Sequence, residues 1–217
     1  MSCSPAEPSV AVSTPAAARE FPPGTVLALN ATPIRAEDVD AVASIIARVE
    51  PQNTLPHLRR IALTNVILPL VAARQVAGPE KRAASLALAS AWRAALVRGE
   101  TPPAPVTAPL EEVTQGGFGM VGLEVWNWAL DCPVGAWSEP IETVGAWRVA
   151  HLLERSAGLR PTDVVLKVDL RTFVWDPSES FREDVEAHLD RSKLEFLDEV
   201  WRDFVPTTWQ RRLRGSP

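Results

Sequence analysis

The spacing of hydrophobic positions changes several times along the chain, and each change marks a predicted element. Residues 26–29 form a short apolar run that predicts a strand, and residues 30–33 have the composition of a turn. Apolar residues then recur at every third or fourth position as far as Pro51, which predicts one amphipathic helix. The predicted buried face of this helix consists of Val39, Val42, Ile46 and Val49.

Two further helices are predicted before residue 100. The first begins near Leu55, and residues 61–76 are apolar on nearly every side of it, which predicts a central element covered by others. Pro69 predicts a kink because proline removes a backbone hydrogen bond, and Gly78-Pro79 predicts the end of the helix. An alanine-rich helix is predicted over residues 80–98, with Gly99 as its terminator.

The C-terminal part of the chain reads as one strand followed by one long helix. Residues 163–175 alternate apolar and charged side chains and predict the clearest strand. Residues 176–179 have the composition of a capping box, which predicts a helix from there to about Phe204. Its predicted apolar face consists of Phe181, Val185, Leu189, Phe196, Val200, Trp201 and Phe204. The predicted fold class is therefore α+β, predominantly α, with a small antiparallel sheet.

Residues 116–155 hold the most specific pattern in the chain. In order, they contain Gly116-Gly117, a helix ending in Ala129-Leu130, the turn Pro133-Val134-Gly135, the sequence Ser138-Glu139-Pro140-Ile141 and a strand over residues 147–153. This order resembles the second half of a parvulin-type peptidyl-prolyl isomerase domain. The resemblance implies a small sheet that surrounds a prolyl-binding site.

Two departures from the parvulin pattern bear on catalysis. The resemblance implies that Arg148 stands where the family has a histidine of the active site, and a guanidinium cannot replace an imidazole in a hydrogen-bonded network. The family's first strand should precede Gly116, but residues 101–110 contain four prolines, which cannot supply a central strand. We therefore expect a truncated domain that lacks the catalytic centre, with the strand over residues 163–175 in the vacated position.

The first helical region carries a second resemblance. Residues 26–39 resemble the opening of SurA-type and PrsA-type periplasmic chaperones, in which a strand leads through an Asn-Gly turn into a helix. In SurA-type chaperones a C-terminal helix returns to pack on the N-terminal helices. The resemblance implies five regions: a flexible tether over 1–23, a helical module over 24–100, a proline-rich linker over 101–112, a truncated parvulin-like region over 113–176, and a C-terminal helix over 177–217 that packs on 24–100.

The N-terminal segment bears on localisation. Ser2-Cys3-Ser4, followed by a polar segment rich in proline and alanine, resembles the end of a bacterial lipoprotein signal. This resemblance implies lipidation of Cys3 and a lipid-anchored protein of the periplasm or cell envelope. The alternative is a disordered cytosolic N-terminus with an unrelated cysteine. Because no run of about 18 apolar residues is present, no membrane-spanning helix is predicted.

Composition and motifs exclude several kinds of site. A net charge of −5 argues against nucleic acid, which is bound through clustered Lys and Arg. His57, His151 and His188 lie on different predicted elements without ligand spacing, so no metal site is predicted. The glycine cluster at 116–119 lacks the lysine of a phosphate-binding loop, and no cofactor is predicted.

The tryptophan content is the unusual feature of the composition, with eight tryptophans and no tyrosine. Four of them lie in the parvulin-like stretch, too many for so small a sheet to bury fully. We expect the core to bury most of them and one or two to line an exposed groove for apolar or proline-containing segments. Its candidate residues are Trp126, Trp128, Trp137, Trp147 and Met120.

The sequence thus predicts a non-catalytic, SurA-like envelope protein that binds unfolded polypeptide or one dedicated client. Two alternatives remain open. One is a structural or assembly subunit of a multiprotein envelope complex, and the other is an active peptidyl-prolyl isomerase with an unusual site. No catalytic residue is assigned, and the membrane contact is expected through the lipid anchor only.

Overall fold

The computed structural model describes residues 20–104 and 109–214, in two antiparallel sheets and seven α-helices. The strands are β1 Thr25–Leu29, β2 Thr32–Arg35, β3 Leu110–Gly116, β4 Ile141–Thr143, β5 Ala146–Arg155, β6 Leu166–Val174 and β7 Leu194–Phe196. The helices are α1 Ala36–Val49, α2 Leu55–Ile61, α3 Leu68–Val97, α4 Phe118–Val121, α5 Leu123–Asp131, α6 Phe181–Arg191 and α7 Thr207–Arg212. The predicted α+β, mainly α fold class is confirmed.

A three-stranded sheet joins the two ends of the described chain, in the order β2-β1-β7. Asn30 and Ala31 have φ values of 48° and 69°, and these left-handed conformations close a tight hairpin between β1 and β2. On its other side β1 pairs with β7, with Leu27 opposite Phe196. Thus the predicted first strand forms, together with two short strands that were not predicted.

The predicted helices form up to residue 98, with one irregularity near the predicted kink. A π-helical segment, Ala62–Ile67, joins α2 to α3 directly before Pro69. Gly78 interrupts α3 with φ 76° and ψ 164°, at the position where the helix was expected to end. Gly99 follows α3 with φ 69°, which is the conformation of a helix C-terminus.

By length and composition alone, the helical stretch Leu55–Val97 could cross a membrane, and its most apolar 18-residue window has a mean hydropathy of 1.4. Half of its most apolar window is buried inside the protein. Leu63, Leu68 and Ala72 are fully buried there. The apolar character predicted for this helix therefore serves a protein core.

One core joins the N-terminal helices to the C-terminal segment. From the N-terminal side it contains Leu27, Leu29, Val39, Leu63 and Leu68, and from the C-terminal side Trp175, Val185, Leu189, Trp201 and Leu213. Side chains of the C-terminal segment thus pack in the same core as the N-terminal helices. The two segments form one folded unit although they lie at opposite ends of the sequence.

The prediction of one long C-terminal helix, from residues 176–179 to about Phe204, was wrong. The Asp176 carboxylate accepts the Ser178 N–H at 2.9 Å in a turn, and α6 begins only at Phe181 and ends at Arg191. After it come β7, a 3₁₀ helix over Glu199–Phe204 and α7. Strand pairing of residues 194–196 with β1 provides backbone hydrogen bonds that compete with the helix.

The second sheet has four strands in the order β3-β6-β5-β4. Helix α5 covers one face, and the part of α3 after Gly78 packs on the other. Strand β6 is central, as expected for the strand over residues 163–175. Strand β3 was not predicted, and it begins inside the expected linker at Leu110.

An ion-pair cluster fastens α3 to this sheet on both sides of the Gly78 break. Glu142 on β4 contacts Arg74 before the break and lies 2.8 Å from Arg82 after it. Burial raises the pKa of the Glu142 carboxyl, but the hydrogen bonds and charges of the two arginines outweigh it and hold that pKa below its ordinary value. The cluster fixes the angle between the two halves of α3.

Candidate functional site

The four tryptophans of the parvulin-like stretch lie on two faces of the four-stranded sheet. Successive residues of a strand point to opposite faces, so Trp147 and His151 on β5 face α3, whereas Arg148 faces α5. Trp126 and Trp128 lie on α5 itself. The four tryptophans therefore do not line one common groove.

The α5 face holds Trp126, Trp128 and the exposed Met120. Trp126 has 0% exposure and packs edge-to-face against Phe118, so it cannot touch a ligand from solvent. Trp128 is half-buried against the core under α5. Met120 on α4 is 69% exposed and covers Gly116, where an added Cβ would lie 2.7 Å from the Met120 side chain.

Helix α5 is held in place by two arginines near its C-terminal end. Arg155 Nη1 donates to the carbonyls of Ala129, Leu130 and Cys132 at 2.8–2.9 Å. Arg48 on α1 lies 2.9 Å from the Asp131 carboxylate, and its hydrogen bonds hold the pKa of Asp131 below the ordinary value. These contacts fix α5 over the sheet and so define the environment of Arg148.

The α3 face carries a cluster that we call the aromatic face, consisting of Trp92, Trp137, Trp147, His151 and Phe173. Trp137 stacks on His151 with ring centroids 4.3 Å apart and an interplanar angle of 9°. Trp92 packs edge-to-face on Phe173, and its Nε1 donates to the Pro103 carbonyl at 2.9 Å. Sequence reasoning missed Trp92 because it lies on α3, far from the other members in sequence.

The aromatic face is partly open and is bordered by charges. Trp92, Trp137 and His151 are each half-buried, whereas Phe173 forms the buried floor. Arg93 and Glu139 pair at 2.7 Å beside Trp92 and Trp137. Trp147 is turned inward, since its Nε1 donates to the Arg82 carbonyl at 3.2 Å. Trp92 and Trp137 are thus the members that a ligand can reach.

Arg148 lies where the parvulin resemblance puts a histidine. Its neighbours across the sheet are Ile141 on β4 and Thr172 on β6. His151 is on the opposite face, and His188 lies in the helical module. Among the residues that the structure describes, no group of His, Cys, Asp or Glu could hold a metal ion. Cys3 lies outside the described residues.

A scan against family models, a search of the curated proteins and a search of the solved structures each found no match for this chain. The functional proposal therefore rests on the geometry of the two faces of the four-stranded sheet.

Proposed function

We propose that this protein binds unfolded polypeptide, or one dedicated client, in the cell envelope and without catalysing a reaction. The stacked pair of Trp137 and His151, open to solvent beside Trp92, carries the proposal. Aromatic planes of this kind bind apolar and proline side chains at low entropic cost, because few of their own torsions must be fixed.

Two features of the architecture support the SurA-like form of the proposal. The N-terminal helices share one core with the C-terminal segment. Strand β6 is central in the four-stranded sheet, which fits a parvulin-like sheet whose first strand has been replaced by a later one. The envelope location and the lipid anchor rest on residues 2–4 alone.

Arg148 supports the non-catalytic part of the proposal. Rotation about a prolyl bond has a barrier of about 18–20 kcal/mol, and lowering it requires a shaped pocket around the twisted amide. An arginine cannot act as the imidazole of such a pocket, because it stays protonated and has no acceptor nitrogen.

Peptide binding tests the proposal. We expect dye-labelled unfolded peptides rich in aromatic residues and proline to bind the full chain, as measured by fluorescence anisotropy. Trp137→Ala should weaken this binding about 5- to 30-fold, which corresponds to about 1–2 kcal/mol of lost contact. The matched control is Trp128→Ala, because Trp128 is a half-buried tryptophan of the same domain on the other face.

Three results would contradict this proposal. An equal loss of peptide affinity in Trp137→Ala and Trp128→Ala would show that the aromatic face is not the binding site. Copurification with one stoichiometric partner, without peptide binding, would favour an assembly subunit. Catalysis well above background in a protease-free tetrapeptide assay would favour an isomerase.

A further inference from the structure

Arg148 is a partly buried cation that pairs with no carboxylate in the part of the chain that the structure describes. Its Nε is buried and makes no hydrogen bond, and no ion pair of its guanidinium is found among the described residues. Other half-buried arginines are paired with carboxylates: Arg59 with Asp40, Arg74 and Arg82 with Glu142, Arg93 with Glu139, and Arg171 with Asp169. The Nε atoms of Arg82 and Arg93 are also buried without a hydrogen bond, but a terminal nitrogen of each lies 2.7–2.8 Å from its carboxylate. Arg148 therefore differs from the arginines that hold the fold together.

Arg155 shows how a structural arginine is used in the same domain. One of its terminal nitrogens donates to three backbone carbonyls at the end of α5. Within residues 20–104 and 109–214, no backbone carbonyl accepts a hydrogen bond from the Arg148 Nε. The Nη1 atom of Arg148 lies instead beside Gly122, where an added Cβ would be 3.2 Å away. The positive end of the α5 dipole at Gly122 makes an unpaired cation there still less favourable.

The Nε of Arg148 is the atom found buried without a partner, and leaving this donor unpaired has a cost. A polar donor withdrawn from water is stable only when a hydrogen bond replaces the lost solvation. A methionine of similar length would fill the same space without this cost. The arginine is therefore better explained by a ligand than by the stability of the fold.

The neighbours of Arg148 indicate what kind of ligand fits. The cross-strand row on this face runs Ile141, Arg148, Thr172 and Leu110. Ile141 and Thr172 are half-buried, and Leu110 is 65% exposed. An arginine on a row that also carries a hydroxyl and apolar side chains matches a carboxylate attached to an apolar group, because its planar fork binds both carboxylate oxygens.

We propose that Arg148 and Thr172 form a binding site for a carboxylate that carries an apolar side chain. The carboxylate accepts hydrogen bonds from the guanidinium and from the Thr172 hydroxyl, while Ile141 and Leu110 contact the apolar group. A polypeptide C-terminus and a small apolar carboxylic acid share this chemistry. The site lies on the face of the sheet opposite Trp137, so it is distinct from the aromatic face.

Two probe pairs test this site on the full chain. The first is N-acetyl-leucine and its amide, and the second is one unfolded peptide ending in leucine with a free or an amidated C-terminus. We expect the free carboxylate of either pair to bind at least about tenfold more tightly than the amide, measured by calorimetry. Arg148→Met should remove the difference, and Arg148→Lys should keep part of it because the charge remains without the fork. The control Arg182→Met, on the exposed face of α6, should leave it unchanged.

A second readout separates a ligand site from a structural role. Without ligand, Arg148→Met should melt at the same or a higher temperature than the wild type, whereas Arg155→Met should melt at a lower one. A drop for Arg148→Met as large as that for Arg155→Met would overturn the proposal.

The probes also separate this proposal from the proposed function. Peptides that bind equally with free and amidated ends would overturn the carboxylate site and leave polypeptide binding on the aromatic face standing. If N-acetyl-leucine binds through Arg148 and no peptide binds, the site stands and the polypeptide proposal fails.

Discussion

At the turn between β1 and β2, Asn30 connects three parts of the chain. Its Oδ1 accepts the Lys193 N–H at 2.8 Å, and its Nδ2 donates to the Ser192 hydroxyl at 2.7 Å. Gln75 on α3 completes the network, with its Oε1 2.6 Å from His188 Nε2 and its Nε2 donating to the Leu29 carbonyl. Asparagine tolerates the left-handed conformation here, so one residue provides both the turn and the cross-links.

His188 in this network predicts a pH dependence of stability. Burial, and then the charge of Arg191, lower the pKa of His188 from its ordinary value of 6.5. The unfolded chain therefore binds the proton more tightly, so the contribution of His188 is complete above about pH 6.5 and is lost as pH falls through the lower folded pKa. We expect the urea midpoint to fall as pH is lowered from about 7 toward 5.

His188→Gln should flatten this slope, because glutamine can still donate to Gln75 but does not titrate. The control is His57→Gln, since His57 is exposed on α2. An unchanged slope in His188→Gln, or a flattened one in His57→Gln, would contradict the assignment.

Single residues also show how far sequence reasoning reaches at the site. Arg148 was singled out from the sequence through the parvulin resemblance, which places it at the position of the family's strand histidine. The exposure of each tryptophan could not be predicted from the sequence, because it depends on which element covers each face of the sheet. Trp126 is buried by α4 and the sheet, whereas Trp137 is left half-open beside α3. Those packing partners come from distant parts of the chain.

Among the elements, those fixed by local chemistry were predicted well. Helix α1, the Gly78 break and strand β6 each have a strong local signal, in apolar period, in Gly-Pro and in strict alternation. Strands β3 and β7 have no such local signal. Each is defined by a pairing partner distant in sequence, β6 for β3 and β1 for β7, and the segment over 192–204 mixes both apolar periods. Non-local pairing thus overrode local propensity.

The Gly78 break leads to a prediction at this scale. A φ of 76° with a ψ of 164° lies in a region that is nearly restricted to glycine, where other residues are strained by about 1–3 kcal/mol. An alanine at residue 78 would not relieve this strain by adopting the helical conformation, because Pro79 disfavours that conformation at the residue before it. Gly78→Ala should therefore destabilise the protein by about that amount, measured by chemical denaturation.

Gly119→Ala is the control, since Gly119 also has nothing within 4 Å of an added Cβ but has no positive φ. It should be nearly neutral. If Gly78→Ala is equally neutral, the two halves of α3 can change their angle freely, contrary to the role given to Glu142.

At the scale of the whole molecule, the ends of the described chain depend on each other. Strand β1 is the middle strand of its sheet only because β7 pairs with it. The apolar residues of α2 and α3 are covered by Val185, Leu189, Trp201 and Leu213. A protein of this topology forms many contacts between distant residues, and such contacts are expected to slow folding.

The C-terminal segment should therefore be required for the N-terminal helices to stay folded. A chain ending at Trp175 keeps β6 and the four-stranded sheet intact but exposes the apolar surfaces of β1, α2 and α3. We expect it to lose the cooperative thermal transition of helical circular dichroism, because packing of this core contributes a large share of the stability of about 5–15 kcal/mol that is typical of a domain.

A point variant gives the same test without a deletion. Trp201 is 4% exposed, and Trp201→Ala should cost about 3–5 kcal/mol of stability. Its neighbour Val200 is 63% exposed, so Val200→Ala should change stability by less than about 0.5 kcal/mol. A truncated chain that retains a cooperative melt, or a Trp201→Ala variant no weaker than Val200→Ala, would show that the N-terminal helices fold without the C-terminal segment.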